Sequence, residues 1–258
     1  MRTLGIDLAS QPKKTAACAI AWEDGRATVS APRLEMTDDD LLGLAAGSDA
    51  VGIDAPFGWP QPFVEFLTRR PAPGAETAAW GKARRDELCF RLTDRLVWTA
   101  LGRPPLSVAA DKIALPAMRC AGLLAALGVA DSSGDGRVCE VYPAVALKTW
   151  GLASKGYKAP RGGAGTRVRG GGENLALLLG NLLGACPWLV LSTETAALCA
   201  RDDDAFDALV AALVARAAAL GLTVRPSPDQ AARAGIEGWI AVPLPGSLGR
   251  LADAAGSA

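Results

Sequence analysis

The chain has 258 residues, half of them apolar, enough for one large domain or two small ones sharing a face. Basic and acidic side chains number 27 each, so no overall basic excess announces a nucleic-acid partner. Histidine is absent, which excludes Ser-His-Asp and Cys-His catalysis, His-ligated zinc and an imidazole proton shuttle.

Arg2 to Ala9 reads as a buried strand that stops at a carboxylate-bearing turn. Residues 14–23 and 26–34 give two more strands, joined at Glu23-Asp24-Gly25, where Asp-Gly is a hairpin signal. Thr37 is an N-cap candidate for a short helix from Asp38 to Ala46 with acids in its first turn. Ala50 to Ala55 is a further strand closed by Pro56. From Gln61 to Val129 the pattern is helical, punctuated by Pro71, Pro73, Pro104 and Pro105. Gly134 to Tyr142 is a turn and a strand, and Pro143 to Trp150 a helix. Residues 155–172 form a Gly-rich loop bearing Arg and Lys, expected to be weakly ordered. Glu173 to Gly184 and Asp202 to Leu220 are apolar helices, and the last dozen residues are expected to fray.

This order predicts an α/β mixed sheet, three antiparallel strands followed by parallel ones, flanked by helices. We read a single domain over 1–258, with a helical insertion at about 60–130 and the Gly/Arg-rich loop at about 155–172. Cys18, Cys89, Cys120, Cys139, Cys186 and Cys199 are scattered without a Cys-x-x-Cys pair, so reduced, buried thiols are expected. The N-terminus lacks a signal-peptide pattern and no apolar run reaches a membrane span, so a cytoplasmic protein with no membrane partner is expected.

The sharpest signal is in the acids. Asp7, Asp54 and Glu140 interrupt otherwise apolar strands, where an unpaired carboxylate is costly. Asp204 and Asp207 open the last long helix three residues apart, hence on one face. Each alone has a plain structural reading as turn-former, strand cap, ion-pair partner or helix-dipole acid. Converging, they repel one another, and a divalent metal is the usual remedy. Oxygen-only ligation without a His or Cys cluster selects Mg²⁺ or Mn²⁺.

Leu-Gly-Ile-Asp-Leu-Ala, Gly-Ile-Asp-Ala-Pro-Phe-Gly, Phe-Arg-Leu-Thr-Asp-Arg, Glu-Val-Tyr-Pro-Ala and Asp-Asp-Ala-Phe-Asp-Ala-Leu-Val-Ala-Ala occur in that order from Gly5 to about Pro243. These motifs resemble domain-of-unknown-function family 429, predicted nucleases with a ribonuclease-H-like fold. The Asp-Ala-Phe-Asp-Ala element is also similar to the last helix of Holliday-junction resolvases, where such acids hold metal. The resemblance implies a ribonuclease-H-like sheet and Mg²⁺-dependent nuclease chemistry. It also implies a catalytic cluster of Asp7, Asp54, Glu140 and Asp207; from the helix spacing, Asp207 is expected to lie closer to it, with Asp204 either behind it or on a second metal.

Arg84, Arg91 and Arg95 fall on one helix face, and Arg91 and Arg95, inside the family-like motif, are candidates to grip phosphate. Residues 137–173 hold seven basic side chains against two acids, a local field suited to a DNA or RNA backbone or to a solubilising linker. Lys148 and Lys158 are candidate substrate contacts there, and Tyr157 a candidate base-stacking ring. Two other functions compete with a nuclease. Actin-like and sugar-kinase ATPases also begin with Gly-Ile-Asp, but they need two such domains and glycine-rich nucleotide loops. A non-catalytic binding module fits the zero net charge but not an intact set of acids.

Overall fold

Residues 1–69, 80–152, 156–158 and 172–253 are described by the structure, a computed structural model. The strands are β1 (Arg2–Asp7), β2 (Ala16–Glu23), β3 (Arg26–Val29) and β4 (Arg33–Leu34), then, after helix α1 (Asp38–Ala46), β5 (Ala50–Asp54). Helices α2 (Gln61–Thr68), α3 (Lys82–Cys89), α4 (Leu92–Leu101) and α5 (Ala114–Ala126) precede β6 (Val138–Glu140) and α6 (Pro143–Thr149). The remainder is α7 (Gly172–Ala185), β7 (Leu189–Val190), α8 (Thr193–Cys199), α9 (Asp203–Ala219) and α10 (Pro228–Glu237).

One mixed sheet runs in the order β6-β5-β1-β2-β3-β7, with β4 pairing β2. β2 is antiparallel to β1 and β3 to β2, whereas β5 is parallel to β1 and β6 to β5. This is the expected α/β architecture and is consistent with a ribonuclease-H-like sheet. The Asp24-Gly25 turn has φ of 46° and 74°, the doubly left-handed backbone of a tight hairpin. Thr37 caps α1 in a reciprocal box, its hydroxyl accepting from Asp40 N at 3.2 Å while Thr37 N donates to Asp40 Oδ2 at 3.1 Å.

Four local expectations need correction. The strand over 26–34 breaks into β3 and β4, because Pro32 has no N–H to give a ladder. Lys14 belongs to a 3₁₀ turn, Pro12–Lys14, so β2 begins only at Ala16. Two-residue β7 and helices α8 and α10 were not anticipated; α10 nevertheless carries a Ser227/Gln230 capping box and Pro228 in its first turn. The chain end as far as Asp253 is packed, with Leu248 and Leu251 buried and the Arg216 guanidinium donating to Leu251 O at 3.0 Å and Asp253 O at 2.6 Å.

Helix α9 organises one layer. It is apolar on every side and buried from Ala205 to Ala217, as a central helix must be. It lies across β1, β2 and β5 and beneath α6 and α8, sharing a core cluster with the α7 leucines. The other sheet face packs Leu4, Ile6, Val51, Ile53 and Val138 against α1 and α5. Close approach of α9 depends on glycine: a Cβ on Gly5 would overlap Ala208 O and Ala212 N, and one on Gly52 would fall 2.6 Å from Ala211 O. The obstructing atoms are backbone, so relief requires moving the helix. Gly5→Ala should therefore destabilise the protein by about 3 kcal/mol or more. Thermal and denaturant unfolding check this, and an unchanged midpoint would contradict it.

Candidate metal centre

Strands β1 and β5 end together, with Asp7 paired directly to Asp54 across the parallel ladder. Partners in such a ladder point to the same face, so Gly5, Gly52, Asp7 and Asp54 all look toward α9. Asp207 reaches them from α9, immediately before Ala208 and one turn before Ala211, the residues seated on the glycines. Asp202 caps that helix, its Oδ1 accepting from Ala205 N at 3.0 Å. The result is a carboxylate triad, Asp7, Asp54 and Asp207, with one oxygen of each within 4.8 Å of the others. Asp7 and Asp54 are partly buried and Asp207 is 1% exposed. Asp204 lies a turn earlier, and its charge acts on Asp7 without joining the triad.

The sequence-read segment around Lys158 supplies the triad's immediate neighbours. Tyr157 donates its hydroxyl to Asp207 Oδ1 at 2.8 Å, and Lys158 Nζ faces Oδ2 at 2.5 Å. Oδ2 is buried, and Lys158 is its one polar partner among the described residues. Tyr157 is 2% exposed and edge-on to Phe206, so it is a core residue holding Asp207, not a platform for a base. The rest of the Gly/Arg-rich loop, including Lys155, Arg161, Arg167 and Arg169, lies outside the described residues. Tyr142, just before α6, adds a partly buried phenol raised by burial and by the Asp54 charge.

Glu140 does not converge with the triad. It pairs with Ile53, one residue short of Asp54, so its side chain takes the opposite face of the sheet. There Arg91 clamps it, Nη2 to Oε1 at 2.7 Å and Nη1 to Oε2 at 2.9 Å, and Phe57 N donates to Oε2 at 3.0 Å. Arg91 also bonds both Asp94 oxygens, at 2.9 and 3.1 Å, and Glu237 O at 3.1 Å. At 2% exposure the guanidinium cannot grip a phosphate, so Arg91 and Glu140 form a buried ion pair joining the start of α4 to the sheet. Fully buried Glu237, not anticipated from sequence, accepts from Gln61 N and Leu92 N at 2.8 Å each, securing the starts of α2 and α4. Arg95 is exposed and donates to Asp86 O at 3.3 Å; Lys148 is exposed in the last turn of α6. Neither makes an ion pair or hydrogen bond to the triad.

The triad's electrostatics follow from burial. Desolvation lifts the Asp7 carboxyl well above its usual range, reinforced by Asp207, Asp54 and Asp204 and opposed by Lys158. Burial lifts Asp54 to about 7 and raises Asp207, again against the pull of Lys158. The donor set fits a hard divalent cation: among the described residues it is three carboxylates, with no nitrogen or sulfur ligand.

The fold and site define an α/β protein with a carboxylate centre at the carboxyl ends of two adjacent parallel strands. The chain belongs to the family described as protein of unknown function (DUF429), which matches residues 5–231. No curated protein and no solved structure matches it. Among the described residues no helix is long and apolar enough to cross a membrane.

Because folding raises the Asp54 pKa from 3.8 to about 7, the native state binds the extra proton between those values. Stability of the metal-free protein should fall as pH rises through that window, the cost being absent below it and complete above it. Asp54→Asn should then raise the metal-free melting temperature at pH 8 and change it little at pH 4. Melting curves at both pH values test this; a variant no more stable than wild type at pH 8 would contradict it.

Proposed function

We propose that the protein is a Mg²⁺- or Mn²⁺-dependent nuclease that hydrolyses phosphodiester bonds of DNA or RNA. The observation that carries this reading is the convergence of Asp7, Asp54 and Asp207, from two strand ends and a helix, on one point. Buried like charges at that separation ask for a compensating cation. Asp7 and Asp54, fixed by the sheet, would hold the cation from one side, and Asp207 from the helix side. A bound divalent cation supplies Lewis-acid activation of phosphate and a lowered pKa for attacking water.

The chain's own residues would do the rest. The sheet register holds two carboxylates at fixed separation, and Tyr157 orients the third through its 2.8 Å hydrogen bond. Exposed Arg95 and Lys148 are candidate phosphate contacts, as is, from its sequence, the basic segment over 159–171. Zero net charge means such contacts must act locally.

Asp207→Asn should lower Mn²⁺-dependent cleavage of oligonucleotides by at least about 10²-fold while the circular dichroism spectrum stays native. Wild-type turnover in that variant would exclude the role. Oligonucleotide affinity should fall with salt by about 0.7–0.9 log units per contacted phosphate for each log unit of salt. Removal of residues 159–171 should flatten that slope.

A further inference from the structure

Lys158 behaves unlike an ordinary surface lysine. Its side chain is 49% exposed, so its ammonium could reach water by a simple rotation. Instead the ammonium turns inward and stops 2.5 Å from Asp207 Oδ2, a buried oxygen with no other polar partner among the described residues. Its charge is felt by Asp7 and Asp54 as well as by Asp207. A lysine that gives up hydration and rotamer freedom to enter a nest of carboxylates is acting as their counter-ion.

A divalent cation bound by the triad needs an Asp207 oxygen. It cannot share Oδ2 with the ammonium without setting two positive charges a few ångströms apart in a poorly hydrated site. Tyr157 differs: it is neutral, buried and bonded to the other oxygen, Oδ1, so it can remain. We infer that Lys158 is the resident counter-ion of the metal-free triad and is the group a divalent cation displaces. The inference rests on the reading of the triad as a metal centre. Cation entry and lysine exit are then one coupled equilibrium, each opposing the other by the same factor. The expelled ammonium remains tethered at the rim of the centre, where it can bind an anionic oxygen of a substrate phosphate. Lys158 would thus act as counter-ion and then as phosphate ligand, but not as both at once.

Two measurements on the full chain test this with Mn²⁺ alone. By calorimetry, Lys158→Met should bind Mn²⁺ at least about tenfold more tightly than wild type, because no internal competitor remains. In the wild type, saturating Mn²⁺ should accelerate acylation of Lys158 by an amine-reactive ester, read by mass spectrometry, by at least about fivefold. Equal or weaker Mn²⁺ affinity in a folded variant overturns the inference while leaving the metal centre intact. Unchanged or slower acylation in Mn²⁺-loaded wild type does the same, and does not depend on the variant folding. If neither protein binds Mn²⁺, the metal centre fails and the inference with it.

Discussion

Backbone contact between α9 and the two central parallel strands is the constraint on which the rest of the structure depends. Gly5 and Gly52 remove the side chains that would hold the helix off, and the Ala-rich middle of α9 offers nothing bulky in return. The same register that pairs the glycines pairs Asp7 with Asp54 two residues on. A helix pressed onto the glycines therefore delivers Asp207 to the aspartates. Packing and site geometry are one feature: a shift of α9 would loosen the core and open the triad together.

The two faces of the sheet solve the problem of buried charge differently. On the α5 side, Glu140 is neutralised by Arg91 with two direct contacts, and Asp94, Phe57 N and Glu237 O satisfy the remaining donors and acceptors. That network is complete, and a complete buried network rigidifies what it joins, here the start of α4 and the strand edge. On the α9 side, among the described residues, three carboxylates meet one ammonium, that of Lys158. Three acids against one cation among the described residues is what a purely structural network would avoid, and it gives this face the capacity for a cation.

The sequence made the sheet legible through apolar strands that stop at acids, and α9 through its cap and unbroken apolar run. The antiparallel-then-parallel order followed from the Asp-Gly hairpin and from where helices intervene. Asp7, Asp54 and Asp207 were readable as a group because a carboxylate inside an apolar strand or at a buried helix start is costly. Glu140 obeyed the same rule yet belongs elsewhere, since one residue of register decides the face and nothing local in Val-Cys-Glu-Val-Tyr-Pro states that register. Arg91 presented a helix-face pattern, but besides Asp94 its partners Glu140 and Glu237 lie 49 and 146 residues away, beyond any local spacing. Lys158 was visible as a basic residue; its turn toward Asp207 depends on a loop packing against the core. Short β7 carried too few residues for a periodic signal.

The central claim is that Asp7, Asp54 and Asp207 form one cation centre. Anomalous diffraction from crystals grown with Mn²⁺ tests it most directly. The account predicts an anomalous peak coordinated by carboxylate oxygens from all three residues, with Glu140 still clamped by Arg91. A crystal saturated with Mn²⁺ that shows no peak between these aspartates, or one bound only elsewhere, would contradict it.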